Sequence, residues 1–234
     1  MKRNQSGFTL IEIAIVLVII GLLLGGVLKG QELINSAKVK NLATDFRNIP
    51  VFIYGYQDKY KALPGDDVNA PAHIGAAVCV APCVPGDGNG VLGGSTATDV
   101  WSNTTAANET QQFWIHVRLA GLAPGPTAGQ PDYRPTNAAG NPIGIQSNIQ
   151  SGSGAFTTIT KDSTGAAKPM AGTYIICSVG ILGKYAAQLD ITLDDGNGDT
   201  GSMRIADPSG NGQSVTTATV NANPGQAYTV CLGV

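Results

Sequence analysis

Gly7-Phe8-Thr9-Leu10-Ile11-Glu12 is the stretch around which this 234-residue chain is organised, and an apolar run from Ile13 to Leu28 follows it. As a helix, the segment from Phe8 to Leu28 would be about 31 Å long at roughly 1.5 Å per residue. This length matches the hydrocarbon core of a bilayer, so the segment is predicted to span a membrane. Glu12 lies inside it, and an ionised side chain at that depth requires a compensating partner.

The front of the chain and the remainder differ in charge. Residues 1–61 hold eight Lys/Arg and four Asp/Glu, a net charge of +4, whereas residues 62–234 hold six and twelve, a net charge of −6. A basic, apolar front end and an acidic, glycine-rich body are predicted to be physically different units. Because the body is acidic, no nucleic-acid partner is expected.

The front end is too long for a cleaved secretory signal, whose apolar core covers about 7–15 residues before a small-residue site. No such site follows Leu28, and no cysteine near the start would carry a lipid. Lys2 and Arg3 predict a cytoplasmic N-terminus, with the chain after Leu28 exported. A plain signal anchor would explain the length but would leave Glu12 unexplained.

The helix is predicted to continue to about Lys61. Apolar residues recur at spacings of four, three, four, three and four, which form one face of an amphipathic helix packed on a sheet. Pro50 predicts a kink or a lost hydrogen bond, and Pro64-Gly65 is predicted to end the helix. The apolar stripe consists of Leu42, Phe46, Ile49, Ile53, Tyr56 and Tyr60.

The body is predicted to be α+β, with a small antiparallel sheet packed on the second half of the long helix. Residues 62–104 and 123–154 are predicted to be loops because they are rich in turn formers and lack periodicity. Gly121 is the predicted stop of a short helix that Asn103 or Thr104 caps. A second short helix is predicted at about 183–192. The predicted strands are Ala155–Thr160, Thr173–Val179, Ser202–Ala206 and Tyr228–Leu232.

Four cysteines follow the membrane-type segment, in the exported part where disulfides persist. Four cysteines allow three pairings. The favoured pairing is Cys79–Cys83, whose members are close in sequence, with Cys177–Cys231 tying a late strand to the C-terminus. Free thiols are the alternative.

Motifs for catalysis are missing from the sequence. His73 and His116 are the only histidines, and neither has cysteines or carboxylates at zinc spacing, so both are predicted to be structural or solvent-facing. The chain has no P-loop, dinucleotide fingerprint or G-x-S-x-G motif. The segment Cys79 to Cys83 is not C-x-x-C, so a redox role is not predicted. An enzyme is therefore not expected.

The one pattern with ligand chemistry is an acidic turn. Asp195, Asn197 and Asp199 alternate as D-x-N-x-D, which matches the first half of a calcium loop. Thr200 replaces the turn glycine of an EF-hand, and Ala206 stands where the closing Glu would be. A tight Asp/Asn/Gly turn without a metal is the alternative.

Two further acidic turns are weaker candidates for calcium. Gly86-Asp87-Gly88-Asn89-Gly90 is a second acidic turn that also contains Asp, Asn and Gly. Pro64-Gly65-Asp66-Asp67 is interpreted as the exit turn of the long helix.

Behind a short basic leader, the residues Gly7 to Glu12 resemble the prepilin processing motif of type IV pilins and type II secretion pseudopilins. The resemblance implies cleavage between Gly7 and Phe8 by a prepilin peptidase, with N-methylation of the new Phe8 amine. It also implies that Glu12 pairs with the N-terminal amine of a neighbouring subunit, which supplies the partner that a carboxylate in lipid requires.

The resemblance further implies a structural subunit with three regions: a leader at 1–7, a long helix at 8–61 whose residues 8–28 are transmembrane, and a periplasmic or extracellular head at 62–234. Such a subunit crosses the inner membrane once, among lipid, until an assembly platform polymerises it with identical or related subunits into a helical filament. Calcium in the heads of major pseudopilins supports the Asp195 loop by the same resemblance.

Other functions fit the same sequence. A minor pilin would prime assembly or display an adhesive or ligand-binding head. A protein of a different class, an exported enzyme or binding protein, would use the helix only as a membrane tether. The front end does not distinguish a pilus from a secretion pseudopilus or a competence filament.

Overall fold

Helix α1 spans Leu10–Tyr60, 51 residues, and continues through Pro50. Proline has no backbone N–H, so the helix has one hydrogen bond fewer at that point. After Tyr60 the chain leaves the helix through Lys61, whose φ of 56° is left-handed. The helix therefore ends at Tyr60, four residues before Pro64, and the left-handed Lys61 terminates it rather than Pro64-Gly65.

The computed structural model describes residues 9–93, 100–148, 159–209 and 212–234. The chain divides into two compact units, Met1–Lys38 and Val39–Val234. The second unit is called the body from here on. It is longer than the body predicted from the sequence, because it includes the second half of α1. The junction of Gly7 and Phe8 lies outside the described residues.

The second half of α1 packs through the predicted stripe. Leu42, Phe46, Ile49, Ile53 and Tyr56 are at most 2% exposed, as the spacing predicts. These side chains share one hydrophobic core with residues from all four strands described below. The body is therefore α+β, with an amphipathic helix covering one face of a sheet.

The described part of the sheet has four antiparallel strands, β1 (Ile143–Ser147), β2 (Tyr174–Leu182), β3 (Met203–Ala206) and β4 (Ala227–Gly233). Their order across the sheet is β1-β2-β4-β3. The strands β2, β3 and β4 agree with the prediction to within a few residues.

The first strand, β1, was wrongly predicted as loop. All five of its residues are buried, so it lacks the alternation that marks a half-exposed strand. Gly144 is required there because a side chain would meet the backbone of Trp101. The predicted strand Ala155–Thr160 is also wrong where it can be assessed: 155–158 lie outside the described residues, and Ile159 and Thr160 belong to no strand.

Four short helices complete the described body: α2 (Ala70–Ile74), α3 (Glu109–Leu119), α4 (Gly183–Leu193) and α5 (Thr217–Ala222). Two of them, α2 and α5, were not predicted.

Helix α3 begins later than the sequence predicts. Asn108 caps it, since its side chain accepts from the Thr110 N–H at 3.1 Å, so the predicted caps Asn103 and Thr104 are wrong. Gly121, with φ of 78°, follows the end of α3 as predicted.

A second hydrophobic cluster covers the other face of the sheet. It contains Trp101, Ile159 and Met170 together with Ile175 and Cys177 of β2. Because neighbouring residues of a strand point to opposite faces, β2 contributes to both cores. The sheet is thus buried on both sides.

Candidate functional site

Helix α1 begins with a capping box that Thr9 and Glu12 form. The Thr9 N–H donates to Glu12 Oε2 at 2.7 Å, and the Glu12 N–H donates to Thr9 Oγ1 at 3.3 Å. The Thr9 hydroxyl donates to the same carboxylate oxygen at 2.8 Å. This arrangement satisfies N–H groups that a helix start leaves without partners. Glu12 thus has a local role that the sequence interpretation did not include.

The apolar run of α1 presents its side chains outward. Leu22 is 72% exposed and Leu24 is 59% exposed, as are most large apolar residues from Leu10 to Leu28. In the part of the chain that is described, α1 is the one helix long and apolar enough to cross a membrane, judged by length and composition. A Cβ at Gly25 or Gly26 would meet nothing within 4 Å. This surface requires lipid or other apolar helices.

Two disulfides cross-link the body. Cys79 is joined to Cys83 in the loop after α2, and Cys177 is joined to Cys231. The latter pair lies directly opposite on β2 and β4. This is the pairing that the sequence favoured, and it places one cross-link in the middle of the sheet.

The side chains of Asp195, Asn197 and Asp199 all accept hydrogen bonds from their own loop or from neighbouring segments. The Asp199 carboxylate accepts hydrogen bonds from the Ser163 hydroxyl at 2.8 Å and from the Ser214 hydroxyl. The Asn197 side-chain oxygen accepts from the Asp199 N–H at 3.4 Å. These bonds are those of a loop stabilised by Asx turns.

The Asp195 carboxylate lies close to two other carboxylates, those of Asp190 and Asp194. Asp190 lies in the last turn of α4, and Asp194 is the C-cap residue. One carboxylate oxygen from each of the three residues lies within 4.8 Å of the others. Burial, and then the charges of Asp195 and Asp194, raise the pKa of Asp190 to about 7.

Sequence reasoning missed Asp190, although a signal was present. Asp190 follows Ala186 by four residues and therefore lies on the apolar face of the predicted helix at about 183–192. An acidic residue on such a face is unusual, because charged side chains are rarely fully buried.

The second acidic turn forms a separate cluster with the exit turn of α1. Asp66 is buried, and its carboxylate accepts from the N–H groups of Asn89 at 3.0 Å and Gly90 at 2.8 Å. Glu109 accepts from the Asp87 N–H at 3.2 Å, and one oxygen from each of Asp66, Asp87 and Glu109 lies within 4.8 Å of the others. Burial raises the pKa of Glu109 to about 7. Backbone donors hold this cluster together.

His116 is structural. It is fully buried, its Nδ1 accepts from the Gly65 N–H at 3.0 Å, and its Nε2 lies 2.9 Å from the Val84 carbonyl oxygen. Nδ1 is therefore unprotonated, and Nε2 carries the proton that it donates. Burial lowers the pKa of His116 to about 4, so the ring is neutral at physiological pH.

His73 belongs to a polar group at the end of α1. Its Nδ1 lies 2.8 Å from Asp67 Oδ2, which also accepts from the Tyr56 hydroxyl at 2.7 Å. The His73 ring stacks on Tyr60, with centroids 5.6 Å apart. These contacts anchor the exit turn of the helix and leave His73 in a structural role.

The sequence profile described as "Prokaryotic N-terminal methylation motif" matches residues 2–28. This motif is the signature of type IV pilins and pseudopilins. The motif and the apolar helix fit a membrane-anchored precursor, and the motif implies processing by a prepilin peptidase and assembly with other pilin subunits. No curated protein and no solved structure matches the chain.

Proposed function

We propose that this chain is a structural subunit that polymerises through α1 into a type IV pilus or a type II secretion pseudopilus. A prepilin peptidase cleaves it between Gly7 and Phe8 and methylates the Phe8 amine. The observation that carries the proposal is the methylation motif at residues 2–28, which leads into an apolar helix whose large apolar side chains from Leu10 to Leu28 are exposed.

Before assembly, the subunit crosses the inner membrane once, with the N-terminus in the cytoplasm and the body in the periplasm. The assembly platform then transfers the apolar half of α1 from lipid into the helical bundle of a filament. Both environments are apolar, so the transfer exchanges lipid contacts for packing between helices.

Glu12 directs the register of assembly in this proposal. Its carboxylate leaves water only if a cation accompanies it, and the methylated Phe8 amine of a neighbouring subunit supplies that cation. The capping box in the single chain holds the same carboxylate at the start of the helix, bonded to the Thr9 N–H.

Mass spectrometry tests the processing step. Protein purified from cells that contain a prepilin peptidase is expected to begin at N-methylated Phe8. Protein from a peptidase-deficient strain, the control, is expected to begin at the original N-terminus. An unprocessed chain in the presence of the peptidase would overturn the proposal.

Two substitutions at Glu12 separate its charge from its capping role. Glu12→Gln retains an oxygen for the Thr9 N–H but loses the charge, whereas Glu12→Ala loses both. We expect both variants to insert into the membrane and to reduce the subunit's content in sheared filaments at least about tenfold, the equivalent of 1.4 kcal/mol. Full assembly by Glu12→Gln would show that capping alone explains this residue.

Glu32→Gln is the matched control for these variants. Glu32 is on the same helix beyond the apolar run, is exposed, and pairs with Lys29 at 2.7 Å. An exposed pair contributes little free energy, so normal filament content is expected.

A further inference from the structure

The second half of α1 has an exposed face that the core of the body does not use. Lys40 and Arg47 are exposed on it, and Val51 and Tyr54 are 63% and 61% exposed. These four residues follow one another at spacings of seven, four and three, so they lie on one side of the helix. This basic face combines exposed apolar side chains with positive charge, as a protein interface does.

The two cations of the basic face have no carboxylate partner within the described part of the chain. The salt bridges found there involve neither Lys40 nor Arg47. Asp58 lies further along the same side of α1, but it pairs with Lys61 at 3.2 Å. The positive charge of the basic face is therefore available to another molecule.

The C-terminal end of α4 carries the opposite charge beside an exposed apolar side chain. Ile191 is 66% exposed, and a Cβ at Gly196 would lie 3.1 Å from Ile191 Cγ1, so Ile191 borders the turn that contains Asp194 and Asp195. The last turn of α4 contains no basic residue, and a helix C-terminus adds partial negative charge. The charge of Lys168 acts on Asp195, but the two form no salt bridge among the described residues.

The carboxylates of this acidic end, Asp194 and Asp195, are held by the turn and can still accept further donors. Asp194 Oδ2 accepts from the Met203 N–H at 2.7 Å. Asp195 Oδ1 accepts from the Asn197 N–H at 2.8 Å, and its Oδ2 from the Thr200 hydroxyl at 2.5 Å. A carboxylate has about four acceptor positions, so each retains capacity for a lysine or an arginine.

The two surfaces have complementary charge and similar spacing. Arg47 precedes Val51 by one helical turn, and Asp195 is adjacent to the glycine that Ile191 borders. Subunits that add along a helical filament meet through two different patches of the same chain, so the chain must carry both halves of the contact. The exposed Val78 and Val80 are a poorer complement to a basic face, because residues 68–86 contain no Asp or Glu.

We propose that the acidic end of α4 in one copy of this chain docks on the basic face of α1 in a second copy. Ile191 packs against Val51 and Tyr54, and the two carboxylates of the acidic end meet the two cations of the basic face. This contact rests on the proposed function and names the surfaces of the body that meet when the subunits polymerise.

Charge reversal tests the contact more sharply than charge removal. An exposed ion pair contributes little, whereas like charges placed opposite each other in an interface are strongly unfavourable. We expect Arg47→Glu and Asp195→Lys each to lower the content of the chain in sheared filaments at least about tenfold. The double variant places Glu opposite Lys and is expected to return to within about twofold of the wild type.

Asp87→Lys is the matched control for Asp195→Lys. Both aspartates are exposed, and Asp87 Oδ1 accepts from the Asn89 N–H at 3.0 Å, as Asp195 Oδ1 does from the Asn197 N–H. Asp87→Lys is expected to enter filaments as the wild type does, and an equal loss in both variants would overturn the proposal. The amount of each variant in the membrane before assembly checks that it folds.

Cross-linking tests the apolar half of the contact. A chain with Val51→Cys and a differently tagged chain with Ile191→Cys, expressed together, are expected to form a disulfide-linked heterodimer in filaments. The pair Val51→Cys and Val80→Cys is the control, since Val80 is 59% exposed but lies outside both surfaces. A heterodimer in the control pair but not in the test pair would overturn the proposal.

The outcomes separate this contact from the proposed function. Normal filament content of Arg47→Glu, in filaments that contain the processed wild-type chain, would overturn the contact and leave the proposed function intact. A wild-type chain that enters no filament would overturn both.

Discussion

At the scale of single residues, burial sets the protonation state of titratable groups in the body. The pKa of His116 is lowered to about 4, so folding favours its neutral form, whereas the pKa of Glu109 is raised to about 7, so folding favours its protonated form. The unfolded chain binds more protons at His116 between about pH 6.5 and 4, and stability falls there as the pH is lowered. Glu109 acts in the opposite direction, because its ionisation opposes folding as the pH rises from 4.5 to 7.

His116→Gln isolates the histidine contribution. Glutamine retains a donor and an acceptor but does not titrate, so the variant lacks the acid destabilisation that His116 causes. The stability difference between wild type and variant is expected to shrink by about 3 kcal/mol from pH 7 to pH 4, because folding lowers the pKa of His116 from 6.5 to about 4. Urea unfolding followed by tryptophan fluorescence measures it. His73→Gln is the control, and an unchanged difference across this range would contradict a buried neutral ring.

At the scale of elements, the second half of α1 depends on its stripe. Phe46 is 1% exposed within the core that joins α1 to the sheet. Phe46→Ala removes a buried ring and leaves a cavity, which is expected to reduce the free energy of unfolding by about 3–5 kcal/mol. Tyr54→Ala on the same helix is the control: Tyr54 is 61% exposed, and a change within about 0.5 kcal/mol is expected. Equal effects in denaturant titrations would show that the stripe does not define the buried face.

The elements also show where sequence reasoning succeeds. The stripe of α1, helix α4 and the strands β2, β3 and β4 were predicted because periodicity or β-branched content marks them locally. β1 was not predicted, because both faces of the sheet are covered there and all five of its residues are buried. Gly144 is needed because the backbone of Trp101, which is distant in sequence, approaches it closely. Asp190 was missed for a different reason, since its position on the apolar face of α4 was visible in the sequence but was not used. Its importance depends on burial and on Asp194 and Asp195, which only the folded chain reveals.

At the scale of the whole molecule, the two units obtain their stability from different sources. Every buried residue of α1 lies at or after Val39, and both disulfides are in the body. Residues 10–38 form a helix whose apolar side chains are exposed in the single chain. The body thus holds the buried core, whereas residues 9–38 of the first unit contain no buried side chain.

The body at 39–234 is therefore expected to fold without residues 1–38. Expressed in an oxidising compartment, it should be soluble without detergent and unfold within a few degrees of the full chain, because the described residues of the removed segment, 9–38, contribute no buried side chain. Near-UV circular dichroism and calorimetry check this. A chain beginning at Val51 is the control, since it also loses the buried Leu42, Phe46 and Ile49 and is expected to lose cooperative unfolding. Aggregation of the 39–234 chain would show that the first half of α1 supports the body, and cooperative unfolding of the shorter chain would show that the stripe is dispensable.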